Sequence, residues 1–141
     1  MKGPGVIIGR KGNLGSVFYS KENFFPIDTT YYLKSKKDNN IRFWYYYLKT
    51  LNLQRLNSHA AVPGLSRNVV YNLDCSIPKI KLQRKIANIL SNFDDLIEVN
   101  LRRIRILEEI AKSLYNEWFI HFQYPGYENV EIIETPDGPI P

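Results

Sequence analysis

The sequence holds few of the groups from which catalytic and metal chemistry are built. There is one cysteine, Cys75, and there are two histidines, His59 and His121, in 141 residues. A single thiol excludes an internal disulfide and a cysteine-based zinc cluster, and it leaves Cys75 the role of a small buried hydrophobe. The histidines stand far apart in the sequence, and no metal site is predicted from them. No apolar run approaches the roughly 20 residues that span a bilayer. The N-terminus Met1-Lys2-Gly3-Pro4 also lacks the apolar stretch of a signal peptide, so the expectation is a cytoplasmic protein. Missing too are a lysine after Gly15 to complete a phosphate-binding loop, a strand-to-glycine cofactor signature, and a nucleophile with its base. No catalytic residue is assigned, and the chain is read as non-enzymatic, with no metal and no cofactor of its own.

What is present is positive charge, and it is unevenly spread. Of the net +5, residues 1–78 carry 11 Lys and Arg against 4 acids, residues 79–122 carry 8 against 6, and residues 123–141 carry 4 acids and no base. The basic, aromatic-rich first segment suits a polyanion through phosphate neutralisation and counterion release; a merely solvated basic surface has the same composition.

The pattern along the chain predicts an α+β fold. Val6-Ile7-Ile8 is an apolar run stopped by Gly9, and Ser16-Val17-Phe18-Tyr19 resumes it after a glycine-rich stretch, the signature of a hairpin. Thr29 to Leu33 is a third β-prone run, followed by a polar loop to Asn40. Ile41, Trp44, Tyr45, Leu48 and Leu51 then follow helical spacing, which assigns the aromatics Trp44 to Tyr47 to a core rather than to base stacking. Pro63-Gly64 breaks the chain, Ser66 stands where a short helix to Tyr71 would be capped, and Pro78 marks a boundary. This divides the chain into residues 1–78, a long helix over 79–122, and a tail over 123–141.

Between Leu82 and Phe122 there is neither Gly nor Pro, and the residues are good helix formers. Heptad position a falls on Leu90, Ile97, Ile104, Ala111 and Trp118, and position d on Ile86, Phe93, Asn100, Leu107 and Leu114. Ile89, Leu96 and Ile110 add a third apolar line at g. Such a helix is roughly 60 Å long, more than the preceding globule can cover, so its stripe is assigned to a partner helix in the same or another chain. Asn100 would set register at a cost in stability. Asp94, Asp95 and Glu98 fall on the wet side.

Two surfaces are candidates for nucleic acid. In the first, glycines at 9, 12 and 15 let the backbone approach a ligand, with Arg10 and Lys11 supplying charge and Asn13 an amide. Arg10 heads the set because its fork fits a phosphate or a guanine edge. The second comprises Ser58, His59 and the run Gly64 to Asn68, where Ser66 and Arg67 flank a helix N-terminus. For both, an ordinary turn with solvated charges is the alternative.

Three stretches, taken in order, resemble the specificity subunits of type I restriction-modification systems. Ile8-Gly9-Arg10-Lys11-Gly12-Asn13-Leu14-Gly15 with Phe25-Pro26-Ile27-Asp28-Thr29-Thr30-Tyr31-Tyr32 is similar to the latter half of a target recognition domain. Ile77-Pro78 through Gln83-Arg84-Lys85-Ile86-Ala87 to Leu114-Tyr115-Asn116-Glu117-Trp118-Phe119 resembles the spacer helix, although Leu82 stands where the family commonly has Glu. Phe122 to Val130, closing at Gly138-Pro139-Ile140-Pro141, looks like the passage into a second recognition domain. The resemblance implies a truncated or half subunit, non-catalytic, that reads double-stranded DNA. It also implies methyltransferase subunits held on the spacer, those subunits using S-adenosylmethionine, a motor-nuclease subunit as a further partner, and pairing through the long helix. Other readings of the residues are a stand-alone basic coiled-coil protein and a remnant that binds methyltransferase subunits alone.

Overall fold

A computed structural model describes residues 1–34, 39–56, 64–136 and 138–140. It is an α+β protein, as the periodicities predict. Three strands form an antiparallel sheet in the order β2-β1-β3: β1 is Gly5–Gly9, β2 Val17–Ser20 and β3 Thr30–Tyr32. The hairpin and the third run were legible, but the central place of β1 follows from pairing: Val6 faces Tyr19, and Ile8 faces both Val17 and Tyr31. The period of two therefore puts Val6, Ile8, Val17, Tyr19 and Tyr31 on one face.

That face is covered by α1, Ile41–Thr50. Asn40 starts the helix by accepting the Phe43 N–H on its side chain at 2.9 Å, which satisfies one of the free donors of the first turn. All five residues of the sequence-derived stripe, Ile41, Trp44, Tyr45, Leu48 and Leu51, pack in or against the core of Val6, Ile8, Leu48, Leu53 and Leu65. Asn52, in the left-handed region at φ 47°, turns the chain into a 3-10 turn, Leu53–Arg55. That turn drives Leu53 into the core, a burial that contributes roughly 1.5–3 kcal/mol. α2 is a single short helix, Arg67–Tyr71.

Cys75 is exposed, not buried as its chemistry suggests. It lies in the extended stretch before the long helix and neighbours the Tyr47 hydroxyl. Burial, reinforced by Cys75, pushes the Tyr47 phenol above its ordinary value of 10.0.

The long helix α3 runs Ile80–Tyr115. It starts within one residue of the predicted 79–122 span and ends earlier, because residues Asn116–Ile120 widen into a π turn. Phe122 then takes φ 55°, and the Gln123 N–H closes on the Glu117 carbonyl at 2.7 Å, a left-handed C-terminal stop made without glycine. The tail contains two strands: β4, Ile133–Thr135, falls within the β-prone stretch 130–135, and pairs antiparallel with a second strand, β5, Gly138–Ile140.

By compactness the chain divides into Met1–Phe93 and Asp94–Pro141. The first turns of α3 group with the sheet because Gln83 and Ala87 are buried there. Gln83, 2% exposed, accepts the Asn40 N–H at 3.0 Å and donates its amide to the Pro78 carbonyl at 2.9 Å.

Candidate nucleic-acid interface

The connection from β1 to β2 is a tight loop closed by Gly9 N–H to Ser16 carbonyl at 2.9 Å and Gly15 N–H to Gly9 carbonyl at 2.8 Å. Its glycines do different work from one another. A Cβ on Gly15, at φ 67°, would stand 2.4 Å from the Gln54 nitrogen, and one on Gly9 would meet the Asn13 carbonyl. These two therefore allow close packing within the protein. Only Gly12, at φ 72° with nothing within 4 Å, is open to a ligand. Lys11, Gly12 and Asn13 form the exposed tip.

Arg10 is held far more firmly than a loop arginine. Its N–H donates to the Thr29 carbonyl at 2.9 Å, and its carbonyl accepts the Leu65 N–H at 3.0 Å. The guanidinium Nη1 donates to the Asp28 carbonyl at 3.3 Å, and Cζ lies 5.8 Å from the centre of the Tyr31 ring. Arg67, at the start of α2, lies 5.3 Å from the centre of the same ring. The Tyr31 hydroxyl donates to the Leu65 carbonyl at 3.0 Å, so one residue, Leu65, bonds both the Arg10 backbone and the ring that Arg10 shares with Arg67.

Two surfaces that the sequence treats separately thus meet on Tyr31. Sequence reasoning missed Tyr31 because its β-prone neighbours assign it to a strand face. Ser66 sits at the N-cap position without a side-chain cap bond, and α2 has five residues, so the charge at this end comes from Arg67 and not from a helix dipole. Ser58 and His59 lie outside the described residues. Among the described residues no carboxylate pairs with Arg10 or Arg67. A groove of about 700 Å³ opens beside them, lined by Tyr31 and Arg67 with Ile8, Trp44, Leu48 and Val70 among others.

On α3 and the π turn that ends it, the residues assigned to a partner lie as follows. Ile86 is half-buried in the first unit, while Leu90, Phe93, Ile97, Asn100, Ile104, Leu107, Ala111, Leu114 and Trp118 are all exposed. Phe93 and Leu107 expose 61% and 63% of their surface, well above what single scattered apolar residues present. The opposite side carries the Glu98–Arg102 pair at 3.9 Å, an exposed contact of small energetic weight. Among the described residues no group of three or more His, Cys, Asp or Glu could hold a metal, and no helix is long and apolar enough to cross a membrane.

A hairpin unit with a rigid basic rim, running into a long helix with an unpartnered apolar stripe, defines a binding module. Comparison with known proteins specifies it. The family described as the type I restriction modification DNA specificity domain matches residues 1–111. The type I restriction enzyme MjaIX specificity subunit of Methanocaldococcus jannaschii is 30% identical over 135 residues, 91% of this chain and 30% of that protein. The EcoprrI specificity subunit of Escherichia coli is 30% identical over 115 residues, 81% of this chain and 29% of that protein. The HindI specificity subunit of Haemophilus influenzae is 37% identical over 60 residues, 43% of this chain and 13% of that protein. The chain belongs to the type I restriction modification DNA specificity domain family, as its three motifs predict. It spans about three-tenths of the length of the first two relatives.

Proposed function

We propose that this chain is a non-catalytic DNA-reading and spacing element of a type I restriction-modification system. The sheet unit contacts double-stranded DNA through Arg10, Lys11, Asn13, Ser66 and Arg67. The apolar stripe of α3 takes a partner helix, either from a second copy or from another specificity chain. Methyltransferase subunits, which would carry S-adenosylmethionine, dock on the resulting scaffold, and a motor-nuclease subunit completes the cleaving enzyme. No cofactor is expected on this chain.

The observation that carries the reading is the convergence of Arg10 and Arg67 on Tyr31, two cations without a carboxylate partner among the described residues. A surface of this kind attracts a polyanion, and in this family the anion is DNA. The test is co-expression with the methyltransferase subunit of the same system. Co-purification with methylation at a discrete split sequence is the expected outcome. Co-purification without methylation would mean a chain that binds partners and cannot read DNA, and failure to co-purify would remove the scaffold role.

A further inference from the structure

The two arginines invite a question that their family does not answer: whether they read a base or hold the backbone. We infer that Arg10, Arg67 and Tyr31 form one clamp for phosphodiester groups of the DNA backbone, with Tyr31 as the positioning residue. The inference rests on the proposed DNA-binding function and assigns this site a chemistry within it. Three features favour phosphate over a base edge.

First, both guanidinium carbons lie within 6 Å of one ring centre, at 5.8 and 5.3 Å, so two positive charges are gathered on one aromatic platform. A guanine edge is satisfied by one fork and offers no full negative charge to a second, whereas a phosphodiester does. Second, the contact that fixes Arg10 is to the Asp28 backbone carbonyl, which holds the side chain while leaving its charge in place. Third, the ring is itself immobilised through its hydroxyl at Leu65, whose N–H fixes the Arg10 backbone. The Arg10–Tyr31 half of the clamp is therefore pre-formed, and little of its side-chain freedom is lost when an anion arrives. Reading of bases is left to the open tip of Lys11, Gly12 and Asn13.

The test uses the full chain and two short DNA duplexes of unrelated sequence, with affinity measured by fluorescence anisotropy across a salt series. Arg10→Gln and Arg67→Gln should each weaken binding by about ten-fold, equally on both duplexes, and should each lower the slope of log affinity against log salt by about one. Tyr31→Leu should lower the slope in the same way, because both cations lose their platform. Tyr31→Phe keeps the ring and should keep the slope. If the wild-type chain binds DNA and neither arginine variant changes the slope, the clamp is wrong while the DNA-binding reading stands. A loss confined to one duplex would assign the arginines to a base edge and overturn the phosphate assignment. Equal slopes for Tyr31→Leu and the wild type would remove Tyr31 as the positioning residue. Should Tyr31→Leu fail to fold by circular dichroism, the two arginine variants decide the clamp by themselves. Absence of any binding by the wild-type chain at low salt would overturn both the clamp and the reading on which it rests.

Discussion

At the scale of single residues, the glycine loop separates conformation from contact. Gly12 and Gly15 share a left-handed backbone, yet one faces open space and the other the backbone of Leu53 and Gln54. A Cβ in the left-handed region costs roughly 1–2 kcal/mol by itself. Gly12→Ala should therefore cost about 1 kcal/mol, and Gly15→Ala at least twice that, because its methyl must also displace the turn that carries buried Leu53. Urea unfolding followed by Trp44 fluorescence in a Trp118→Phe background measures the difference. Equal costs would mean that the loop backs away freely from the 53–55 turn. The sequence reading treated the three glycines alike, since spacing shows where a Cβ is missing and not what occupies its place. Tyr31 and Cys75 were misjudged for a related reason: strand propensity and thiol chemistry describe averages, while stacking and exposure depend on which distant residues arrive.

At the scale of elements, local periodicity was the dependable signal. The stripe from Ile41 to Leu51 and the long helix α3 were legible because each repeats the same demand several times. The placement of β1 between β2 and β3, and the pairing of β4 with β5, were less legible because they depend on contacts between runs. Gln83 is the clearest case of a polar residue hidden inside a legible pattern. It falls on the heptad a line before Leu90, yet it is buried and joins Asn40, the cap of α1, to Pro78, two residues before α3. Gln83→Leu keeps the volume but leaves a half-buried N–H and a half-buried carbonyl without partners, which should cost about 1–2 kcal/mol and raise amide exchange at Asn40. Unchanged exchange there would mean that water replaces the side chain. Further along α3, Asn100 is exposed and polar in an otherwise apolar line. If a partner helix covers that line, Asn100→Leu should strengthen self-association and broaden the range of oligomers seen by sedimentation velocity, since a buried Asn trades stability for register. Weaker association would place Asn100 in a favourable polar contact instead.

At the scale of the molecule, the charge and the apolar surface are carried by different residues, and this makes the two proposed roles separable. The basic excess belongs to residues 1–78, whereas the most exposed seam residues, such as Leu107, lie on α3. DNA affinity should come from phosphate neutralisation and self-association from apolar burial, two contributions that add independently when the residues share no partner. Arg10→Ala with Lys11→Ala should thus weaken DNA binding by about ten-fold or more and leave sedimentation unchanged. Leu107→Asp should do the reverse, because a carboxylate in an apolar helix interface costs several kcal/mol unless it is paired. Association also raises apparent DNA affinity by bivalency, so the comparison requires a duplex too short for two copies. On that duplex Leu107→Asp should bind as the wild type does, while on a longer one it should lose the avidity of the pair. If both changes lowered affinity for the short duplex and both abolished association, recognition and pairing would be a single coupled activity, and the helix would be part of the reading surface rather than a spacer.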